Sequence, residues 1–230
     1  MSIGYLVILG VFALISALVS SRLKSKFKKY SEVRLDNGLT GKQIAEKMLL
    51  DNGITDVKIT QVPGSLTDHY NPINKTVNLS EPVYYGNSAA SAAVSAHECG
   101  HAVQHATAYS MLILRSRLVP IQNVSGRILN MVILFGGFLG FGMNSMGLGL
   151  MIIVVCYAVL TLFSLVTLPV EFDASKRALV WMETNGIVNQ NELAGAKDAL
   201  KWAAMTYVVA ALSAVVTFLY FLLRLLNSRG

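Results

Sequence analysis

An uncharged stretch in the second half of the chain is the feature that most restricts its fold. Residues 128–168, 41 in all, contain no Asp, Glu, Lys or Arg. A helix needs about 20 apolar residues to cross the hydrocarbon core of a bilayer, so this stretch is too long for one span and fits two. Gly and Asn in residues 142–147 favour a tight turn between the two spans, and Pro169 is expected to end the second. The pattern predicts an integral membrane protein.

Two further apolar runs are predicted to span the membrane. Residues 3–19 and residues 203–223 contain no charged side chain. The composition agrees, because 14 % of the residues are charged whereas soluble domains have about 25 %. A cleaved signal peptide would have positive charge before its apolar run. Here five basic residues follow the first run and none precedes it, so we interpret this run as an uncleaved anchor.

The distribution of basic residues predicts the topology. Of the 19 Lys and Arg residues, 13 lie between the first and second predicted spans, four between the third and fourth, and two after the last. Basic residues collect on the cytoplasmic side of membrane proteins, so both termini are predicted to face outward and these two connecting segments inward. The basic residues that give the net charge of +6 are then expected to lie at the membrane surface. Membrane lipid is an expected partner, and nucleic acid is not.

The first inward segment contains a motif that suggests a metal site. His97-Glu98-Cys99-Gly100-His101 is a His-Glu-x-x-His sequence in an apolar run that fits a helix. Side chains four residues apart lie on one helix face, so His97 and His101 can point at the same ion. The pattern predicts a Zn²⁺ site in which Glu98 is the general base for hydrolysis of a peptide bond. Cys99 projects to another face, so we expect it to be a packing residue that forms no disulfide.

A catalytic zinc site needs a third protein ligand. His105 lies eight residues after His97, about 12 Å along a helix, which is too far to reach the same ion easily; a supporting role near the site is the alternative. Glu171 follows the predicted third span and is the preferred candidate. A carboxylate at the end of an apolar run is costly unless it is paired or bound to metal. Asp173 is the other possible ligand.

Short elements of regular structure are predicted before the motif. Thr40 and Gln43 form a capping-box pattern, which predicts a helix that ends at Asn52-Gly53. Alternating polar and apolar side chains predict strands at residues 57–62 and 75–79. One hypothesis is that the second strand borders the cleft, where an extended substrate could pair with it; the alternative is a plain core strand.

Helices are predicted to surround the third ligand and the motif. The motif helix should run over residues 88–116 and be broken by Pro120. A polar helical segment is expected after Pro169, with a break at Asn185-Gly186. These elements place the motif and Glu171 on the same side of the membrane.

The motifs together resemble a family of membrane peptidases. The run of residues 96–105 and the sequence of residues 168–175, Leu-Pro-Val-Glu-Phe-Asp-Ala-Ser, are similar to those of the YugP-like neutral zinc metallopeptidases of bacterial membranes. The likeness covers nearly the full length, and the Glu-Phe-x-Ala sequence also resembles that of the HtpX and CAAX prenyl protease group. The resemblance implies a zinc-dependent endopeptidase with Glu171 as the third ligand. One position departs from the HtpX-like pattern, because Ser175 stands where that group has an Asp.

These observations predict a fold class and a domain layout. We expect a mainly α integral membrane protein with about four transmembrane helices and a cytoplasmic, zincin-like α+β catalytic part. The predicted parts are an N-terminal anchor (1–21), a cytoplasmic segment with the motif helix (22–126), two transmembrane helices (127–169), a cytoplasmic helical segment with the third ligand (170–202) and a C-terminal transmembrane helix (203–230).

The predicted function is hydrolysis of protein or peptide substrates at the cytoplasmic surface of a bacterial plasma membrane. Two alternatives stay open: an intramembrane metalloprotease of the site-2 type, and a non-enzymatic membrane scaffold. An oxyanion-stabilising donor should exist. The sequence does not choose among its four candidates, which are Tyr109, His105, His69 and Arg177.

Overall fold

The computed structural model describes residues 3–135 and 146–228. Over these residues the chain forms seven helices and three short strands. The helices are α1 (Ile3–Ser31), α2 (Gly41–Asp51), α3 (Glu81–Tyr84), α4 (Ala89–Ala106), α5 (Ser110–Phe135), α6 (Met146–Thr184) and α7 (Gln190–Asn227). The strands are β1 (Lys58–Val62), β2 (His69–Asn71) and β3 (Thr76–Ser80).

Three of the described helices are long and apolar enough to cross a membrane: Ile3–Ser31, Gly147–Thr184 and Gln190–Asn227. They contain the first, third and fourth predicted spans. The second predicted span begins in α5, and its remainder lies outside the described residues. The predicted turn at 142–147 also lies mostly outside them, although its last two residues belong to α6. The described chain is thus mainly helical, with three candidate spans.

The chain divides into two compact units, each described here by itself. The first consists of Met1–Leu18, Ile113–Leu168 and Thr206–Gly230. Within it the ring of Phe221 packs against Tyr5 and Tyr157, with ring centroids 5.1 and 5.3 Å apart. The hydroxyl groups of the two tyrosines lie 3.0 Å from each other. Aromatic packing therefore joins α1, α6 and α7 within this unit.

The second unit consists of Val19–Leu112 and Pro169–Met205 and contains the sheet. The strand order is β1-β3-β2, with β1 parallel and β2 antiparallel to β3. The predicted strand at 75–79 corresponds to β3, whose Val77 and Leu79 are fully buried. Because β3 is paired on both sides, the hypothesis that an extended substrate pairs with it is wrong. The two edges of the sheet are β1 and the short strand β2.

Helix α2 confirms the predicted capping box. The Thr40 hydroxyl accepts from the backbone N–H of Gln43, and the Gln43 side chain accepts from the backbone N–H of Thr40. The helix ends at Asp51, followed by Asn52 and by Gly53 at a positive φ of 68°. Its buried face packs on α4, where the Cys99 thiol lies 3.7 Å from the backbone oxygen of Ala45. Cys99 is a buried packing residue, as expected.

The motif helix is shorter than predicted. It was expected to run over residues 88–116, but α4 ends at Ala106 and α5 begins at Ser110. Ala108 adopts a φ of 50° between them, a left-handed conformation that is uncommon for residues other than glycine. The backbone N–H of Tyr109 donates to the Gln104 backbone oxygen at 2.9 Å and closes this turn.

The two predicted proline breaks are wrong. Pro120 lies inside α5 and Pro169 inside α6. Proline removes one backbone hydrogen bond from a helix, but packing can outweigh this cost: the turn after Pro169 contains Val170 and Ala174, both fully buried. The helices also continue across the predicted domain boundaries after residues 21, 126, 169 and 202.

Candidate metal centre

The site forms where α4 contacts the segment of α6 that follows Pro169. His97, His101 and Gln104 lie on one face of α4, and Gly100 is part of the same face. A Cβ atom on Gly100 would lie 2.6 Å from the backbone oxygen of Ala174 in α6. The absence of a side chain at this position lets the two helices approach closely, and this approach brings the histidines of α4 to the carboxylate of Glu171.

Three side chains converge at this contact. Oε2 of Glu171 lies 3.4 Å from Nε2 of His97 and 3.7 Å from Nε2 of His101. The three residues form the one group among the described residues whose ligand atoms all lie within 4.8 Å of one another. Ligand atoms about 2.0–2.1 Å from a tetrahedral zinc ion are about 3.4 Å apart. The donor types and their spacing therefore fit zinc.

The environment of the site is buried. Glu171 is 2 % exposed and His101 8 % exposed. Burial alone would lower the pKa of His101, but the contact with Glu171 and the negative charges of Glu98 and Glu171 outweigh it and raise that pKa above its ordinary value. The carboxylates thus create a local demand for positive charge beside His101, which either a proton or a metal cation would meet.

Each histidine contacts a second partner through its Nδ1 atom. Nδ1 of His101 lies 3.0 Å from Oε1 of Gln104. Nδ1 of His97 lies 3.1 Å from the hydroxyl of Ser175. Both rings are therefore oriented so that Nε2 faces Glu171. Partners of this kind commonly orient metal-binding histidines and fix which nitrogen faces the ion.

Glu98 is held beside this group by strand β2, at one edge of the sheet. Its Oε2 accepts a hydrogen bond of 2.9 Å from the backbone N–H of Tyr70 in β2, and the residue is 8 % exposed. In the sequence it directly follows His97, so its side chain leaves α4 on an adjacent face. A buried carboxylate with one oxygen fixed by a backbone donor has a restricted orientation, as a general base requires.

Comparison with known proteins agrees with this geometry. Residues 5–226 match a family described as "Putative neutral zinc metallopeptidase". The chain belongs to this family. It is also 41 % identical over 226 residues to a Bacillus subtilis (strain 168) protein named "Putative membrane protease YugP". The aligned region covers 96 % of this chain and 98 % of that protein. No solved structure gives a significant match. Membership of a zinc peptidase family supports zinc as the metal and a protease as the activity.

Two other sequence candidates for the metal contact different groups in this family member. Asp173 Oδ2 accepts from Gln104 Nε2 at 2.8 Å and from Arg177 Nε at 2.6 Å. His105 lies on the exposed end of α4, with Nδ1 2.7 Å from the hydroxyl of Tyr70. Neither belongs to the group of three convergent donors.

The remaining candidates for oxyanion stabilisation also have partners. Nδ1 of His69 lies 2.9 Å from the backbone oxygen of Thr67. The guanidinium of Arg177 lies 5.8 Å from the centre of the Tyr109 ring. These contacts order the side chains around the site without selecting one of them for the role.

Sequence reasoning missed two residues that hold the site. Gln104 is three residues after His101 and seven after His97, which places it on the same helix face; this spacing was the available signal. Tyr70 acts through its backbone N–H on Glu98 and through its hydroxyl on His105. Any residue except proline can donate through its backbone N–H, so the residue type at position 70 gave no signal for this contact.

Proposed function

We propose that this chain is a zinc metalloendopeptidase of the gluzincin type, with Zn²⁺ held by His97, His101 and Glu171. One observation carries the proposal: Nε2 of both histidines lies 3.4 and 3.7 Å from the same carboxylate oxygen, at the spacing of zinc ligands. Three protein ligands leave one coordination position of a tetrahedral ion open. Zinc bound there would acidify a water molecule and polarise a peptide carbonyl.

Glu98 is the proposed general base. The backbone N–H of Tyr70 donates to its Oε2, so Oε1 is the oxygen that remains to take a proton from the attacking water. The same carboxyl group then returns the proton to the amine that leaves when the peptide bond breaks. Tyr70 thereby restricts the direction in which Glu98 can accept a proton.

The convergence of His101 and Glu171 supports four spans rather than three. The two residues share one site, so they lie on the same side of the membrane. Between them α6 contains one apolar stretch that is long enough to cross a membrane. A second crossing is then required, and the uncharged run after Arg127 is its proposed location. With the positive-inside rule, both termini face outward and the site faces the cytoplasm.

The finer assignment follows from this topology. We propose a zincin-like catalytic part built from the predicted segments 22–126 and 170–202, at the inner surface of the plasma membrane. Substrates are proteins or peptides near that surface. The relation to the HtpX and CAAX prenyl protease group is proposed on the shared donor set of two histidines and a glutamate. Ser175, which contacts His97, takes the place of their aspartate.

Two alternatives are less well supported. A site-2-type intramembrane protease would use a Leu-Asp-Gly sequence for its third ligand, and that sequence is absent from the chain. A non-enzymatic scaffold with a structural zinc usually has four protein ligands, whereas the metal-ligand group in the described part of the chain has three.

The decisive experiment measures casein cleavage and zinc content of detergent-purified protein. Wild-type protein should cleave casein, and a chelator should abolish cleavage until zinc is restored. Glu98→Gln should keep its zinc but lose about 10²–10⁴-fold in rate. Glu32→Gln, at an exposed carboxylate, is the matched control and should behave as wild type. Cleavage that survives the chelator, or a fully active Glu98→Gln variant, would refute this mechanism.

A further inference from the structure

Gln104 is fully buried, and its side-chain amide forms hydrogen bonds to residues of the site. It is 0 % exposed. Its Nε2 donates to the backbone oxygen of Val170 and to Oδ2 of Asp173, both at 2.8 Å. Its Oε1 lies 3.0 Å from Nδ1 of His101. One side chain of α4 is thus bonded to α6 on one side and to a proposed zinc ligand on the other.

These partners determine which way the amide points. A backbone carbonyl and a carboxylate can only accept hydrogen bonds, so the NH₂ group of Gln104 has to face Val170 and Asp173. Its Oε1 then has to face His101. A carbonyl oxygen also only accepts, so Nδ1 of His101 has to carry the hydrogen. In the neutral ring, Nε2 is then the unprotonated nitrogen, and it is this atom that faces Glu171 Oε2.

An ion pair between Asp173 and Arg177 contacts the amide of Gln104. Oδ2 of Asp173 also accepts from Nε of Arg177 at 2.6 Å, and this contact fixes the carboxylate in place. Hydrogen bonds in a connected chain polarise one another. The contacts run from Arg177 to Asp173, then to Gln104 and finally to His101. The amide of Gln104 therefore connects the Asp173 carboxylate to the imidazole of His101. In this arrangement the carboxylate acts through the amide and does not contact the ring directly.

The other histidine lacks this constraint. Ser175 contacts Nδ1 of His97 through a hydroxyl, and a hydroxyl can either donate or accept. Its bond is compatible with a hydrogen on either nitrogen of His97. The two histidines of the motif therefore differ in how strongly their surroundings select a tautomer.

We propose that Gln104 is a positioning residue that fixes His101, before any metal binds, in the tautomer with an unprotonated Nε2. The inference rests on the proposed function, because it assigns this tautomer to zinc binding. Loss of such a partner typically weakens metal binding about 10–100-fold. Ser175 has a smaller effect, since its hydroxyl does not select between tautomers.

The first test compares zinc affinities by competition with a chelator. Gln104→Met, which keeps the size but removes the amide, should bind zinc about 10–100-fold more weakly than wild type. Ser175→Ala should weaken binding less, and Gln61→Met, at an exposed glutamine of β1, should leave it unchanged. The visible spectrum of the Co²⁺-substituted protein should also change in Gln104→Met. Equal affinity and an unchanged spectrum, with only a lower melting temperature, would reduce Gln104 to a structural role and overturn the proposal.

The second test needs no variant at Gln104 and no metal. In zinc-free wild-type protein labelled with ¹⁵N-histidine, at a pH where the ring is neutral, nitrogen chemical shifts report which atom carries the hydrogen. With four histidines in the chain, the signals of His101 are assigned by elimination from His69→Gln, His97→Gln and His105→Gln proteins, each of which loses the signals of one of the other three. A protonated Nδ1 at His101 supports the proposal, and an unprotonated Nδ1 contradicts it. If wild-type protein binds no zinc, the proposed function fails, but this measurement still decides the tautomer.

Discussion

Gly100 of α4 lies directly against the backbone of Ala174 in α6. A Cβ at Gly100 would be 2.6 Å from the Ala174 oxygen and 3.1 Å from its carbonyl carbon. Atoms of a backbone cannot move aside as the end of a flexible side chain can. Gly100 stands between His97 and His101 in the sequence. Its contact with Ala174 therefore sets the distances from the two histidines to Glu171.

We predict that Gly100→Ala weakens zinc binding and lowers stability. The added methyl group would push the two helices apart and lengthen the distances from the histidines to Glu171. Overpacking of this kind costs about 1–3 kcal/mol. Zinc affinity by chelator competition and thermal unfolding in detergent measure the two effects. Gly126→Ala is the matched control, because a Cβ there meets no atom within 4 Å. Wild-type affinity in Gly100→Ala would show that the contact does not set the site.

Glu171→Gln is predicted to remove most bound zinc. The substitution keeps the shape of the side chain but replaces a buried anionic oxygen by a neutral amide, so the site loses a charged ligand. We expect a loss of affinity of more than about 100-fold, above the usual effect of a supporting residue. Metal analysis after gel filtration checks this. Glu183→Gln, at an exposed carboxylate of the same helix, should retain full zinc, and full zinc in Glu171→Gln would exclude that residue as a ligand.

Local spacing in the sequence predicts part of the candidate site. His97 and His101 are one helical turn apart, so their common face follows from helix geometry. The sequence also indicates Glu171, because a carboxylate beside an apolar run is costly unless it is paired. The distance between the motif and Glu171 along the chain is bridged by packing of Gly100 on Ala174, and no local pattern encodes which backbone atoms meet there.

Helix ends were less predictable, for a related reason. Pro120 and Pro169 are local signals for a break, yet both lie inside helices. After Pro169, burial of Val170 and Ala174 favours continuation of the helix. Ala108 gives the opposite case, since no glycine or proline marks the break that its positive φ produces. The hydrogen bond from Tyr109 to the Gln104 backbone oxygen stabilises that turn.

Thr40→Ala is predicted to destabilise the fold without changing the site. Loss of an N-cap hydroxyl costs about 0.5–2 kcal/mol, and α2 carries Ala45, which contacts Cys99 of the motif helix. Thermal unfolding followed by circular dichroism should show a lower midpoint, with zinc content per folded protein unchanged. Thr55→Ala, at an exposed threonine, is the control. A changed zinc affinity in Thr40→Ala at the wild-type melting temperature would contradict this prediction.

The proposed four membrane crossings predict a specific pattern of chemical labelling. Both native cysteines are buried, so a single introduced cysteine can report its own side of the membrane. Ser228→Cys should react with a membrane-impermeant maleimide on intact cells. Asn74→Cys and Asn191→Cys, at exposed positions before and after the third predicted span, should react only after permeabilisation. In a three-span protein Asn74 and Asn191 would lie on opposite sides, which would also separate His101 from Glu171. Labelling of one of these two sites alone in intact cells would therefore contradict both the topology and the zinc site.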